Sequence, residues 1–413
     1  MRITNIKDVV DWRLCVGCGL CASICDKNKI QLVDVIDEGI RPVVQDGGCG
    51  ANCDCLQVCP GYQFAHEPAG TNSHANDSLQ QGWGPVLELW EGYASDAEIR
   101  YSGSSAGLAT AIALYCLEKE GMHGVLHIEG DPEQPWRNRT ALSRNRAALS
   151  KRTGSRYAPA SPCDSIDRIE SAPGPCVFIG KPCDVAGLRN AQARKPEIDK
   201  NLGLTIGIFC AGTPSTRGTL DLLDQLEVEQ NEIEEIRYRG KGWPGNFMAK
   251  LNGASKPIRQ LSYKESWGFL QKYRPYRCYL CPDGTSEFAD ISCGDPWYRE
   301  IEQNERGHSL VVVRTERGRK ILQGAMRAGY VHLARAGHEK LEQAQKNLLA
   351  KRSAIWGRLL AIKAFGIPTP RFAGFSLFQL WRRIPIMDKL RSTLGTVRRI
   401  VKRRYFQRLN IFG

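Results

Sequence analysis

The spacing of apolar residues changes period along this chain, and the changes mark its elements. From Ser105 to Glu120 the residues Leu108, Ile112, Tyr115 and Cys116 recur at helical spacing, and Gly121 supplies a stop. Short apolar runs from Gly124 to Ile128, Cys176 to Gly180 and Leu204 to Cys210 read as strands, the last two buried. Helical stretches follow them from Asp184 to Ala193 and from Ser215 to Leu226, the latter opened by Thr213-Pro214-Ser215. Strands alternating with helices predict an α/β domain with a mixed or mostly parallel sheet. Periodicity fails from Ala65 to Gly84, which is rich in Asn, Ser, His and Gly and reads as a linker. Near the end, Leu394, Val397, Ile400, Val401 and Phe406 lie near one helical face, with Arg and Lys on the others.

Composition adds scale and one asymmetry. With 413 residues, 42% hydrophobic and 24% charged, the chain has room for two or three folded domains. The net charge of +13 is not spread evenly: residues 351–413 hold fifteen of the 57 Lys and Arg but only one of the 44 acids, Asp388. A basic amphipathic helix suits a membrane surface, and then a membrane-held, lipid-linked substrate. Arginines interleaved with aromatics also suit nucleic acid, which is the less favoured partner, and a helix that wraps the protein or a partner subunit is the third reading. No apolar run approaches membrane-spanning length, and the opening Met-Arg-Ile-Thr-Asn-Ile-Lys-Asp has no apolar signal core. The sixteen cysteines therefore point to a reducing, cytoplasmic setting, peripheral at the membrane if the tail touches it.

The cysteine spacing carries the chemistry. Cys15, Cys18, Cys21 and Cys25 follow C-x2-C-x2-C-x3-C, in which three thiolates reach one iron-sulfur cube and the fourth points to another. Cys49, Cys53, Cys55 and Cys59-Pro60 form an irregular second copy, since Asn52 stands where a regular motif has its middle cysteine. The expected assignment is crossed: Cys15, Cys18, Cys21 and Cys59 on one cluster, and Cys25, Cys49, Cys53 and Cys55 on the other. Two structural zinc sites are the alternative, but zinc knuckles usually pair two C-x2-C units across a longer gap.

Three further places in the α/β region suit chemistry. The run Ser102-Gly103-Ser104-Ser105-Ala106-Gly107 feeds into a helix, so its backbone is open to close approach and the helix start favours an anion such as a dinucleotide pyrophosphate. Gly180-Lys181-Pro182-Cys183 sits at a strand's carboxyl end, where α/β sheets bind ligands, and Lys181 suits a phosphate or a reduced flavin. Cys278 and Cys281 form a metal half-site. Cys183 and Cys210, at the ends of two predicted strands, are candidates to complete it as a third cluster, with Cys293 a competitor. Cys116, Cys163 and Cys176 read as packing residues.

In order along residues 10–335, the ferredoxin-like start, the 102–107 loop, Gly180-Lys-Pro-Cys183-Asp-Val-Ala-Gly-Leu188, Phe209-Cys210-Ala-Gly-Thr-Pro-Ser215, and Arg277-Cys-x2-Cys281-Pro-Asp with Ala289-Asp-Ile-Ser-x-Gly-Asp295 resemble the coenzyme F420 hydrogenase/dehydrogenase beta-subunit family. That family includes 7-hydroxymethyl chlorophyll a reductase and a ferredoxin-dependent divinyl chlorophyllide reductase. The resemblance implies a mixed-sheet FAD domain with its own 4Fe-4S cluster beside a ferredoxin module. It supports the 102–107 loop as part of a flavin site and Cys183, Cys210, Cys278 and Cys281 as ligands. The chain departs from the family at Cys53 and at Ala106-Gly107, where a glycine pair is usual.

The expected organisation is a two-cluster ferredoxin-like domain at 1–66, a linker at 67–84, an FAD and 4Fe-4S oxidoreductase domain at 85–345 and a basic amphipathic tail at 346–413. The expected function is an iron-sulfur flavoenzyme. Electrons from a ferredoxin-like carrier would pass the clusters to FAD and reduce a small-molecule or lipid-linked substrate, with Lys181, Asp290 and Asp295 supplying charge or protons. The alternatives are an electron-transfer subunit docked to a hydrogenase or dehydrogenase, and a zinc-bound nucleic-acid-binding protein.

Overall fold

A computed structural model describes residues 2–25, 29–45, 54–66, 77–253, 258–301 and 305–411. Its centre is an eight-stranded mixed sheet built from β1 (Glu88–Ala94), β2 (Gly124–Gly130), β3 (Asn138–Ser143), β4 (Cys176–Gly180), β5 (Leu202–Ile208), β6 (Ile291–Gly294), β7 (Ser309–Val313) and β8 (Val331–Arg335), in the spatial order β8-β1-β7-β6-β5-β4-β2-β3. The four middle strands β2, β4, β5 and β6 run parallel, and the flanking pairs are antiparallel. The principal helices are α1 (Leu108–Glu118), α2 (Pro182–Gln192), α3 (Thr216–Gln225) and α4 (Glu316–Arg327).

Alternation along the strands gives the sheet two covered faces. Val125, Val177, Leu204, Ile291 and Val311 point to one side, where Ile112 and Leu114 of α1 and Ile321 and Leu322 of α4 bury them. Leu126 and Phe178 point to the other, against Val185 and Leu188 of α2. The predicted strands and helices fall in place with short shifts at their ends. Pro182 starts α2 two residues early because proline fits a first helical turn. The third run ends at Ile208, since Phe209 and Cys210 turn away to bond the backbone of Cys293 and Gly284. The expected linker is partly structured: its end forms the helix Asp77–Trp83, which buries Trp83 beside Val86 and Leu89.

Neither the amino-terminal module nor the tail stands apart from this body. The tail folds as α5 (Glu339–Ser353), α6 (Ile355–Ala364), α7 (Leu377–Arg383) and α8 (Ile386–Lys402), so that α5 runs through the expected boundary at 345. Ile362, Ile367, Ile400 and Tyr405 share one core with Ile6, Val9, Trp12 and Cys15 of the module and Tyr276 of the body. The strand Arg371–Ala373 pairs in parallel with Gln63–Ala65. Glu287 fastens all three parts, accepting from His66 Nε2 at 2.8 Å and pairing with Arg352 of α5. The apolar face expected near the end is split, since Ile400 is buried while Leu394, Val401 and Phe406 are exposed.

Candidate functional site

Cys15, Cys18, Cys21 and Cys59 line a single small cavity in the amino-terminal module. Their loop is tight. Gly19 has φ +86°, and a Cβ there would stand 2.9 Å from the Asp164 nitrogen, so this loop lies directly on the body. Burial, reinforced by the neighbouring sulfurs, pushes the Cys18 and Cys21 thiols well up, and burial pushes Cys59 up to about 11. The Gly17 N–H donates to Cys15 Sγ at 3.4 Å. Cys25 and Cys55 are buried in the same core, and Cys49 and Cys53 lie outside the described residues.

Adjacent parallel strands bring a second set together. Cys183 stands at the start of α2 just beyond β4, and Cys210 lies just beyond β5. Cys278 falls in the short helix Tyr276–Leu280, with Cys281 directly after it. All four line one cavity with Lys181, Arg277 and Lys351, and Cys15 of the module reaches the same wall. Burial and the neighbouring Cys278 push Cys210 up to about 11, while Lys351 and Arg277 partly offset the burial of Cys281. Four half-buried cysteines beside cationic side chains form a donor set suited to a cationic group. Among the described residues no three Cys, His, Asp or Glu side chains converge on the point of a single ion. Cys293 is elsewhere: it packs in the core with Ile206 and Val311, and burial alone pushes it up to about 12.

The small-residue loop is drawn tight as well. Ser105, Ala106 and Gly107 take left-handed φ of +51°, +54° and +68° in succession before α1. A Cβ on Gly107 would meet the Ile99 carbonyl oxygen at 2.3 Å, so glycine alone fits. Two segments that the linear pattern does not single out wall this loop. The Ser155 N–H donates to Ser104 Oγ at 2.7 Å. Gly242 N–H donates to the Tyr101 carbonyl at 3.0 Å, and Arg237 Nη1 to that of Ser102 at 3.2 Å. The signal in the sequence is Gly240-Lys-Gly242-Trp-Pro-Gly245, a second cluster of glycines.

The three side chains expected to supply charge or protons sit in separate places. Lys181 belongs to the cysteine cavity, where its Nζ bonds Asp184 at 2.7 Å and the Ala160 carbonyl at 3.3 Å. Burial opposes its charge, and Asp184 and Cys183 outweigh burial to hold its pKa up. Asp295 accepts from Arg239 Nη1 and Nη2, at 2.7 and 2.8 Å, and from Trp243 Nε1 at 2.8 Å, while Arg239 Nε donates to the Pro244 carbonyl, so the carboxylate anchors the glycine cluster. Asp290 accepts from the Thr205 N–H and hydroxyl, Arg189 and Thr315, tying β5 to the start of α4. Neither carboxylate is free, and both are filled by partners from distant sequence. Gly180 faces Phe178 and Asp184 rather than the loop, so it is placed with the cysteines.

One segment touches all three places. Residues 155–163 start at the small-residue loop through Ser155, pass Lys181 at Ala160, reach Gly17 through Ser161 Oγ at 2.7 Å, and meet Cys18 where the Cys163 N–H donates to its carbonyl at 3.0 Å. The Cys163 thiol donates to the Asp184 carbonyl at 3.4 Å, beside Cys183. On the other side Arg277, adjacent to Cys278, donates to the carbonyls of Pro60 and Gly61 just after Cys59. The two cysteine sets are thus joined by two short bridges of covalent and hydrogen bonds.

Comparison with known proteins identifies the family of the central body. Two models of the family described as coenzyme F420 hydrogenase/dehydrogenase, beta subunit, match the chain: the amino-terminal one over residues 89–166 and the carboxyl-terminal one over residues 175–339. Residues 1–88 and 340–413 lie outside both. The chain is 23% identical over 308 residues to the coenzyme F420 hydrogenase subunit beta of Methanothermobacter thermautotrophicus, covering 70% of this chain and 99% of that one. It is 23% identical over 335 residues to the coenzyme F420-dependent sulfite reductase of Methanocaldococcus jannaschii, covering 77% of this chain but only 47% of that protein. A chain in the F420-reducing NiFe hydrogenase complex from Methanosarcina barkeri shares the fold, with a TM-score of 0.55 at 21% identity over 70% of this chain and 96% of that one.

Proposed function

Because the chain belongs to the coenzyme F420 hydrogenase/dehydrogenase beta-subunit family, we propose that it is the electron-transfer component of an oxidoreductase and docks to a hydrogenase- or dehydrogenase-type catalytic partner. Iron-sulfur clusters handle electrons singly and a flavin pairs them for hydride chemistry, so the two together would connect a one-electron carrier to a two-electron acceptor. Cys15, Cys18, Cys21 and Cys59 would hold one 4Fe-4S cluster, Cys25, Cys49, Cys53 and Cys55 a second, and Cys183, Cys210, Cys278 and Cys281 a third. The loop 102–107, with Ser155 and the Gly240–Gly245 stretch as its walls, would seat FAD. Lys181 and Lys351 place positive charge beside the central sulfurs, which stabilises thiolate and the anionic state of whatever they hold.

The observation that carries this reading is the course of residues 155–163, which joins the loop and both cysteine sets through named hydrogen bonds. A self-contained reductase fed by a ferredoxin-type carrier draws support from one further feature, since the amino-terminal cysteines lie outside the matched family region yet pack against the central set. Replacement Cys281→Ser tests the shared core of both readings. Anaerobically purified variant protein is expected to lose about four irons per chain while keeping the electron paramagnetic resonance signal of the amino-terminal clusters. Unchanged iron content would sink the central cluster.

A further inference from the structure

Helix α8 turns one side to the protein and leaves an apolar side uncovered. Thr396 and Ile400 are buried, the latter in the core shared with the amino-terminal module. At the α-helical step, Ile386, Met387, Leu390, Leu394 and Val401 fall within one arc of about 100° on a different side. They are 71%, 63%, 50%, 64% and 55% exposed, against the usual outward charge of a surface helix. Arg391, Arg398 and Lys402 border the arc, all exposed, and Arg403 and Arg404 continue the positive edge. The single acid, Asp388, is already engaged by Arg391 at 3.3 Å.

A contiguous exposed apolar stripe marks an interaction surface, and the charge around it selects the occupant. A second copy would bring two strongly positive edges together. Nucleic acid would neutralise the arginines but leave the five apolar side chains in water. An anionic bilayer satisfies both, with apolar side chains at the acyl boundary and guanidinium groups among the phosphates. Among the described residues no helix is long and apolar enough to cross a membrane, so the contact is one of lying on the surface. We propose that α8 is an interfacial helix that holds this protein on anionic lipid through Ile386, Met387, Leu390, Leu394 and Val401. The proposal stands independently of the redox reading.

Co-sedimentation of the full chain with phosphatidylcholine vesicles, with and without about a third phosphatidylglycerol, tests it. The expected result is retention that requires the anionic lipid and weakens as salt rises. The double replacement Leu390→Glu with Leu394→Glu alters exposed positions only, and is expected to weaken retention by roughly tenfold or more with iron content unchanged. Equal retention of the variant, or none of the parent protein at low salt, would overturn the proposal. So would a dimer in analytical ultracentrifugation that the variant abolishes without any lipid binding, which would assign the stripe to a second copy.

Discussion

Asp295 shows how a carboxylate acquires its role from partners far away in sequence. In the motif Ala289-Asp290-Ile-Ser-x-Gly-Asp295 both acids look available for proton transfer, yet each is buried among donors that the sequence places 25 to 101 residues off. Asp295→Asn leaves Arg239 a buried cation without its counter-charge, and should cost about 3 kcal/mol of stability. It should also loosen the Gly240–Gly245 stretch and lower flavin retention. Equilibrium unfolding and flavin content check the two effects, and an unchanged midpoint would contradict the anchoring role. His127 gives a pH prediction of the same kind. Burial first, then the Arg152 charge, lowers its pKa from 6.5 to about 4, and its ring nitrogen bonds Ser143 at 2.8 Å. Between those values the unfolded chain binds a proton that the folded one does not, so stability falls as pH drops from 6.5 towards 4, by about 3 kcal/mol in total. His127→Gln should flatten that part of a stability-against-pH curve.

At the scale of elements, the sequence is most legible where one residue fixes the backbone. Pro182 marks the start of α2, and the largely apolar runs of β4 and β5 read as covered strands from their shortness and their Val and Ile content. Their adjacency brings Cys183 and Cys210 into one cavity with Cys278 and Cys281. The walls of the small-residue loop are harder to read. Gly240 to Gly245 lies more than 130 residues beyond that loop, and nothing in a linear pattern says that Gly242 donates to Tyr101. The loop itself makes a sharp prediction. Gly107→Ala adds a Cβ 2.3 Å from a carbonyl oxygen at a left-handed position, and should cost about 2 kcal/mol or more and reduce FAD content in step. A stable variant with full flavin would refute the idea that this close approach shapes the site.

At the scale of the molecule, the tail is both strap and surface. Charge counting finds its basic excess, and periodicity finds an apolar face, but a helix with two apolar arcs gives no sign of which one is buried. Packing decides: Ile400 goes inward with Ile362 and Tyr405, while Leu390 and Leu394 stay outside. A chain stopped at Ala350 therefore loses Arg352 from Glu287, the strand paired with Gln63–Ala65, and a third side of the amino-terminal core. Such a chain should lose amino-terminal iron before central iron during mild heating, as followed by the decay of the two cluster signals. Equal decay would mean that the strap does not support the module. The close fit of module, body and tail also brings the two bridges between cysteine sets together at Cys163 and Arg277. Arg277→Gln should slow electron exchange between the sets at full iron content, and unchanged exchange would remove this bridge from the route.

Iron, sulfide, zinc and flavin content of anaerobically purified protein, read with its visible spectrum, decides whether the three cysteine sets and the small-residue loop serve redox cofactors. The expected result is a brown protein with about twelve irons and one FAD per chain. A colourless protein that holds zinc would contradict it, because the same cysteines would then be structural and no electron path would remain.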